Sequence, residues 1–208
     1  LTATLFLSTA LFSQDWSTDV YKYNEQYPGY VITAKGEKIE GFIQYRNRYT
    51  MQNSVIFFSE KGNKKTKVKY KTGDLKEYQV ADKTYHCIHY SGGLMKKPIK
   101  ANLVVKTGCI TEYVWYDRHE NYLRLQKMKD ESQEEFMARM YPRSAVYLKK
   151  GEEYPKTLDY FALKFAKKMS EWILDNKDLA GKVAAKEKGY KMLSILAIIE
   201  EYNAGCEQ

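Results

Sequence analysis

The sequence contains no run of twenty apolar residues, so nothing in it reads as a membrane-spanning helix, which needs about that length to cross a bilayer core. It has no P-loop and no GxGxxG, the two common glycine-rich phosphate cradles, and the pair Gly92-Gly93 marks only a loop. Internal repeats, low-complexity tracts and flexible linkers are also missing. Histidine and cysteine are scarce, three of each in 208 residues, which narrows the metal and nucleophile chemistry available.

The one cluster with metal-like content is His86-Cys87-Ile88-His89. On a strand, His86 points away from both Cys87 and His89, so these side chains do not converge on one ion. Cys87 and His89 share a face as a nucleophile and base, but no third group or oxyanion element accompanies them, and His119 is expected in a turn. Three cysteines cannot all pair within one chain. Cys87 and Cys109, both on expected strands, are the candidate disulfide, weighed against the commoner role of small buried residues; Cys206, near the chain end, reads as an exposed thiol. The carboxylate pairs Glu134-Glu135, Glu152-Glu153 and Glu200-Glu201 lack the aromatic and polar setting of a glycosidase acid. No catalytic residue, metal ligand or cofactor is assigned.

What the chain does have is tyrosine, 19 copies against 8 phenylalanines. Tyrosine favours strands and half-wet surfaces, because its ring packs while its hydroxyl finds water or a partner. The charge is also uneven: 34 Lys and Arg against 26 Asp and Glu give +8. The densest basic stretch is Lys61, Lys64, Lys65, Lys67, Lys69 and Lys71, a candidate anion-binding face. Lysine on an edge strand has a structural use as well, since it blocks pairing with other chains.

Residues 1–13, LTATLFLSTALFS, carry no charge and precede polar Gln14-Asp15. They fit the apolar region of a secretory signal peptide truncated at its start, with Ser13 before the cleavage point. No cysteine lies there to carry a lipid anchor. The mature chain then works outside the cytoplasm, periplasmic or secreted, and nucleic acid is a disfavoured partner.

After an irregular arm over Asp15–Tyr27, the stretch Gly29–Tyr45 reads as a β-hairpin turning at Lys35-Gly36, where glycine can adopt positive φ. Ile39, Gly41, Ile43 and Tyr45 share one face at period two. Gly41 inside a strand is costly unless a bulge, or something lying close above it such as the Leu158–Ile173 helix or a residue of a facing strand, makes use of the missing side chain. Further strands are expected at Ser54–Ser59, at Thr66–Lys71 (Thr66, Val68 and Tyr70 inward, the lysines outward), and at Lys76–Val80, Thr84–Tyr90, Ile99–Lys106, Cys109–Tyr116 and Tyr122–Lys127. Their 8–12-residue spacing points to an antiparallel meander, closed as a barrel or folded as a roll or sandwich. The composition shifts after Met128. Ser132-Gln133-Glu134-Glu135 is a capping box for a short helix to Met140, and Ala145–Lys149 reads as one more strand. Helices are expected at Leu158–Ile173, Lys177–Lys188 and Tyr190–Tyr202, the last apolar nearly all round and therefore buried. The fold class is α+β: a β domain over 14–128 and a helical lobe over 129–208 packed on it.

The motifs Gly29-Tyr30-Val31-Ile32-Thr33, Gly36-Glu37, Ile39-Glu40-Gly41-Phe42-Ile43, Gly73-Asp74-Leu75-Lys76-Glu77-Tyr78 and Ile198-Ile199-Glu200-Glu201-Tyr202-Asn203 resemble a family of exported β-rich proteins of Bacteroidetes-type bacteria. The resemblance spans most of the mature chain. It implies an exported β-plus-helix protein of unknown function and brings no catalytic residues with it. The expectation is an exported, non-catalytic structural or interaction module of the cell envelope. Two other readings stand beside it: a binder of anionic glycan or lipid through the Lys61–Lys71 face, and a hydrolase whose site has no recognisable motif.

Overall fold

The turn at Lys35-Gly36 forms as its chemistry requires. Gly36 sits at φ +92° and its N–H donates to the Thr33 carbonyl at 2.9 Å. This joins strands β1 (Gln26–Thr33) and β2 (Lys38–Gln44) in antiparallel register, with Val31 opposite Ile39. The structure, a computed structural model, describes residues 21–90 and 98–206; the expected signal peptide and the loop through Ser91, Gly92, Gly93, Lys96 and Lys97 lie outside them.

The remaining strands are β3 (Ser54–Phe58), β4 (Lys67–Lys71), β5 (Leu75–Val80), β6 (Lys83–His89), β7 (Ile99–Lys106), β8 (Ile110–Tyr116), β9 (Arg143–Lys149) and the two-residue β10 (Lys156–Thr157). They form one ten-stranded sheet in the order β10-β9-β8-β7-β6-β5-β1-β2-β3-β4, antiparallel at every junction. The sheet is open, ending in β10 and β4, so the barrel alternative is excluded. Two of its strands come from the stretch assigned to the helical lobe, so the sheet crosses the expected boundary near residue 128.

The sheet also curls. Between β4 and β5 the chain makes only a 3₁₀ turn, Thr72–Asp74. An extended chain from Lys71 to Leu75 reaches at most ~14 Å, whereas four flat strand spacings would separate β4 from β5 by ~19 Å. The β1–β4 part must therefore bend back towards β5. The junction of β2 with β3 is narrow enough to allow it, with only Phe42↔Phe58 and Ile43↔Phe57 paired. Thr72 Oγ1 donates to the Ile99 carbonyl at 2.8 Å, which holds the returning turn against the start of β7.

Among the described residues six α-helices accompany the sheet: α1 (Arg48–Met51), α2 (Gln133–Met140), α3 (Leu158–Ala162), α4 (Phe165–Trp172), α5 (Lys177–Ala184) and α6 (Ile195–Ala204). The capping box at α2 is present in full, with Ser132 and Glu135 exchanging hydrogen bonds at 3.1 and 2.7 Å. One core fills the β1–β7 part with Val31, Ile43, Tyr78, Val80 and Ala101, all fully buried. A second packs α3–α6 on β8 and β9 through Ile110, Tyr147, Phe161, Met169, Ile173 and Ile198.

Several expectations need correction. Tyr122–Lys127 is a turn and coil segment rather than a strand, gripped by Arg139, which donates to the Gln126 carbonyl at 2.9 Å and to both Glu131 carboxylate oxygens at 2.8 and 2.9 Å. The helix expected over Leu158–Ile173 breaks at Leu163-Lys164, where Lys164 takes a left-handed conformation at φ +63°. Val68 is 42 % exposed, because β4 is an edge strand with nothing packed over that side chain. Gly41 does have the close neighbour expected of it, supplied by a strand, the adjacent β3, and not by the helix: an added Cβ would meet the Phe58 carbonyl oxygen and, at 2.5 Å, the Phe57 ring.

The disulfide joins Cys109 to Cys206, with Cα atoms 6.4 Å apart, and Cys87 is the free thiol. The expected Cys87–Cys109 bridge fails on sheet order. Cys87 lies on β6, opposite Ala101 of β7, and Cys109 precedes β8 on the far side of β7. Two strand spacings are about 10 Å, beyond the roughly 7 Å that a disulfide spans. Cys206 comes within reach because α6 docks on the start of β8. There Asn203 acts like a strand partner, its Oδ1 accepting from Ile110 N at 2.8 Å and its Nδ2 donating to Ile110 O at 2.9 Å.

Candidate functional site

The six lysines singled out in the sequence lie on the β3–β4 hairpin and the turn that leads into β4. Asn63 caps that turn by accepting from the Lys65 N–H at 3.0 Å, which projects Lys64 and Lys65 outward. Lys67, Lys69 and Lys71 alternate along β4 and share one face, opposite Phe58, Ile56 and Ser54 of β3. Side chains at every second strand residue repeat at about 6.8 Å. All six lysines are exposed, and among the described residues none of them forms an ion pair. The two nearest carboxylates in sequence are already occupied: Glu60 accepts from Asn63 Nδ2 at 2.9 Å and Asp74 from the Lys71 N–H at 2.9 Å. This is an exposed row of positive charge, suited to a repeating anion.

The sheet also assembles a polar cluster that reading along the chain cannot see. The register Ile32↔Glu77, Glu77↔His86 and His86↔Asn102 puts alternate residues of four adjacent strands on one face, and Tyr30 and Tyr113 join them at period two. Tyr30 donates its hydroxyl to Glu77 Oε1. His86 Nε2 lies 3.3 Å from Glu77 Oε2, and its Nδ1 lies 2.9 Å from the Tyr113 hydroxyl. A carboxylate only accepts, so neutral His86 carries its proton on Nε2, and Tyr113 donates to Nδ1. Burial pushes the Tyr113 and Tyr30 hydroxyls up to about 12, which keeps both of them donors. Both ring nitrogens of His86 are thus committed inside the sheet.

The other candidate groups have structural partners too. Burial, with a smaller contribution from Glu77, pushes the Cys87 thiol up to about 12, so it is not a thiolate at neutral pH. His89 does not serve Cys87 as a base: its Nε2 is 3.5 Å from Glu153 and its ring lies 5.0 Å from that of Tyr154. His119 Nδ1 accepts from the Asn121 N–H at 3.1 Å within a turn. Glu152 binds Lys156 at 2.7 Å and the Trp172 indole N–H at 2.9 Å. Glu200 pairs with Lys106 and Glu201 with Lys182. Among the described residues no group of three or more His, Cys, Asp or Glu is placed to hold a metal ion, and no helix is long and apolar enough to cross a membrane.

Sequence reasoning missed the residues around α1. Arg48 is only 5 % exposed, its guanidinium 5.0 Å from the Tyr116 ring centre, and it lines a cavity of about 590 Å³ with Tyr141 and Arg143. Gln52, fully buried, bridges to β8 by accepting from Tyr116 N at 2.6 Å and donating to Tyr116 O at 2.8 Å. A four-residue helix has too short a period to be read from sequence, and a polar glutamine gives no signal of burial.

No family model matches the chain, and no match is found among curated proteins or among solved structures.

Proposed function

We propose that the protein is an exported, non-catalytic interaction module of the cell envelope, and that its Lys61–Lys71 edge is the surface that meets its partner, an anionic glycan. One observation carries this reading. The histidines, the free thiol and most of the paired carboxylates are engaged or buried within the fold, whereas among the described residues the six exposed lysines of one hairpin have no carboxylate partner. A row of cations with a strand repeat fits a polymer that carries anionic groups at intervals, and acidic glycan is the polyanion an exported chain meets. The export part rests on the apolar stretch over 1–13 and on the family resemblance.

Retention on an acidic polysaccharide resin tests the reading. Binding should weaken as salt rises through the range where the screening length shortens to about 10 Å and below. Replacing Lys64, Lys65, Lys67 and Lys69 together by glutamine should reduce affinity roughly thirtyfold, taking about 0.5 kcal/mol for each exposed charge contact. Retention that is unchanged in this variant would remove the edge from the proposal. Turnover of ester or glycoside substrates by the purified protein would remove the non-catalytic part. N-terminal sequencing of the secreted or periplasmic form should find a start near Gln14 or Asp15.

A further inference from the structure

The helical lobe carries a second basic feature whose chemistry differs from that of the β4 edge. Between the start of α4 and the segment after α5 lies a groove of about 430 Å³, with Phe165, Ala166, Tyr190 and Met192 as its apolar lining. The rest of its lining is Lys164, Lys167, Lys186 and Lys191, with no acidic residue among them. All four lysines are exposed. Lys167 lies 3.9 Å from the exposed carboxylate of Glu171, the one ion pair of the four among the described residues. The floor is held in place, since Tyr190 donates to Glu201 at 2.9 Å while Lys182 sits 5.3 Å from its ring centre.

Next in sequence to two of the lining residues stands a leucine that nothing in the described fold covers: Leu163, before Lys164, is 76 % exposed, and Leu193, after Met192, is 102 % exposed. Leu193 belongs to the stretch expected to be buried all round. α6 instead buries Ile195, Ile198, Ile199 and Tyr202 and leaves Leu193 and Leu196 outside. Two of the rim lysines also hold left-handed backbone, Lys164 at φ +63° and Lys186 at φ +58°, where glycine or asparagine is the ordinary choice. Four exposed lysines around an apolar slot, with two exposed leucines next to it in sequence, supply what a surface needs to insert apolar side chains at the acyl boundary and meet headgroup phosphates with cations.

We propose that this groove and its two leucines dock the helical lobe on an anionic lipid bilayer. Charge complementarity selects the occupant: four cations around apolar side chains match a surface that is apolar beneath and anionic above. The proposal does not rest on the glycan reading, which concerns the opposite end of the chain.

Co-sedimentation of the full chain with phosphatidylcholine vesicles, with and without phosphatidylglycerol, tests it. Binding should require the anionic lipid. Lys167→Gln with Lys191→Gln should weaken it about twenty-five-fold, at roughly fivefold for each lysine near an anionic surface. Leu163→Ser with Leu193→Ser should weaken it about tenfold or more, since each leucine contributes part of its ~1.5–3 kcal/mol burial energy. Lys35→Gln with Lys150→Gln, two exposed lysines outside both basic surfaces, should leave it unchanged, which separates the groove from net positive charge alone. Both leucines are exposed, so an unchanged melting temperature serves as the folding control. The proposal is overturned by equal binding to neutral and anionic vesicles, or by leucine variants that bind as the parent does. It is equally overturned if the vesicles fail to bind and the leucine variants instead abolish self-association or capture of an acidic amphipathic peptide.

Discussion

Replacing Cys206 by serine should lower the stability of the whole protein, because the bridge to Cys109 ties the last helix to the middle of the sheet across 97 residues. Closing a loop of about 100 residues removes up to ~4.7 kcal/mol of entropy from the unfolded chain, and measured effects commonly fall at about 2–4 kcal/mol. Part of the docking survives without the bond. Ile198, Ile199 and Tyr202 remain buried, and Asn203 keeps its two hydrogen bonds to Ile110. Unfolding should therefore remain a single transition at a lower temperature. At about 2–4 °C for each kcal/mol in a chain of this size, the melting point should fall by roughly 5–15 °C. Differential scanning calorimetry with and without reductant measures this: reductant should lower the parent to the level of Cys206→Ser and leave the variant where it is. Alkylation of the denatured, unreduced parent should label Cys87 alone. An unchanged melting point on reduction, or a peptide map linking Cys87 to Cys109, would refute the reasoning.

Other perturbations follow from the packing. Gly41→Ala should cost about 1–3 kcal/mol in urea unfolding, since the new Cβ would fall 2.5 Å from the Phe57 ring and against the Phe58 backbone, which cannot move without disturbing β3. Asn203→Ala should cost about 2 kcal/mol by the same assay, from two lost hydrogen bonds to the Ile110 backbone. Gly108→Ala should reproduce part of that loss, because its Cβ would meet Asn203 Cγ at 2.5 Å. Burial lowers the pKa of His86 from its ordinary value, against a smaller opposing pull from Glu77. The unfolded chain therefore binds a proton that the folded chain resists, so stability should fall as pH drops through about 6.5. His86→Asn should flatten that part of a melting-point profile taken between about pH 7.5 and about pH 5, and an unaltered slope would locate the titrating group elsewhere.

Much of the local structure was legible along the chain. Alternation, the turn residues and, for β3, a continuous apolar run place β2, β3, β5, β6, β7 and β8 within a residue or two, since each depends on neighbours in sequence. The capping box at Ser132 and the positive φ of Gly36 were readable for the same reason. Tyr122–Lys127 misled because apolar and charged residues alternate there as in a strand, but the segment has no partner strand and Arg139 holds it instead. The left-handed break at Lys164 carries no proline or glycine to announce it, and so the groove it helps to form went unseen. The lysine edge was visible as a run of charge. That its lysines lack carboxylate partners among the described residues was not, because partners come from elsewhere in the fold.

Residues a few positions apart suffice for the α+β class, the antiparallel strands with their turns, and the concentration of lysine between residues 61 and 71. Which cysteines pair, where both nitrogens of His86 are spent, and that Leu193 faces outward while Ile195 faces in are set by the folded arrangement. Each of these depends on strand order or helix docking between residues tens of positions apart: Cys87 is barred from Cys109 by the width of β7, and Cys206 reaches it because Asn203 fastens α6 to the first residue of β8.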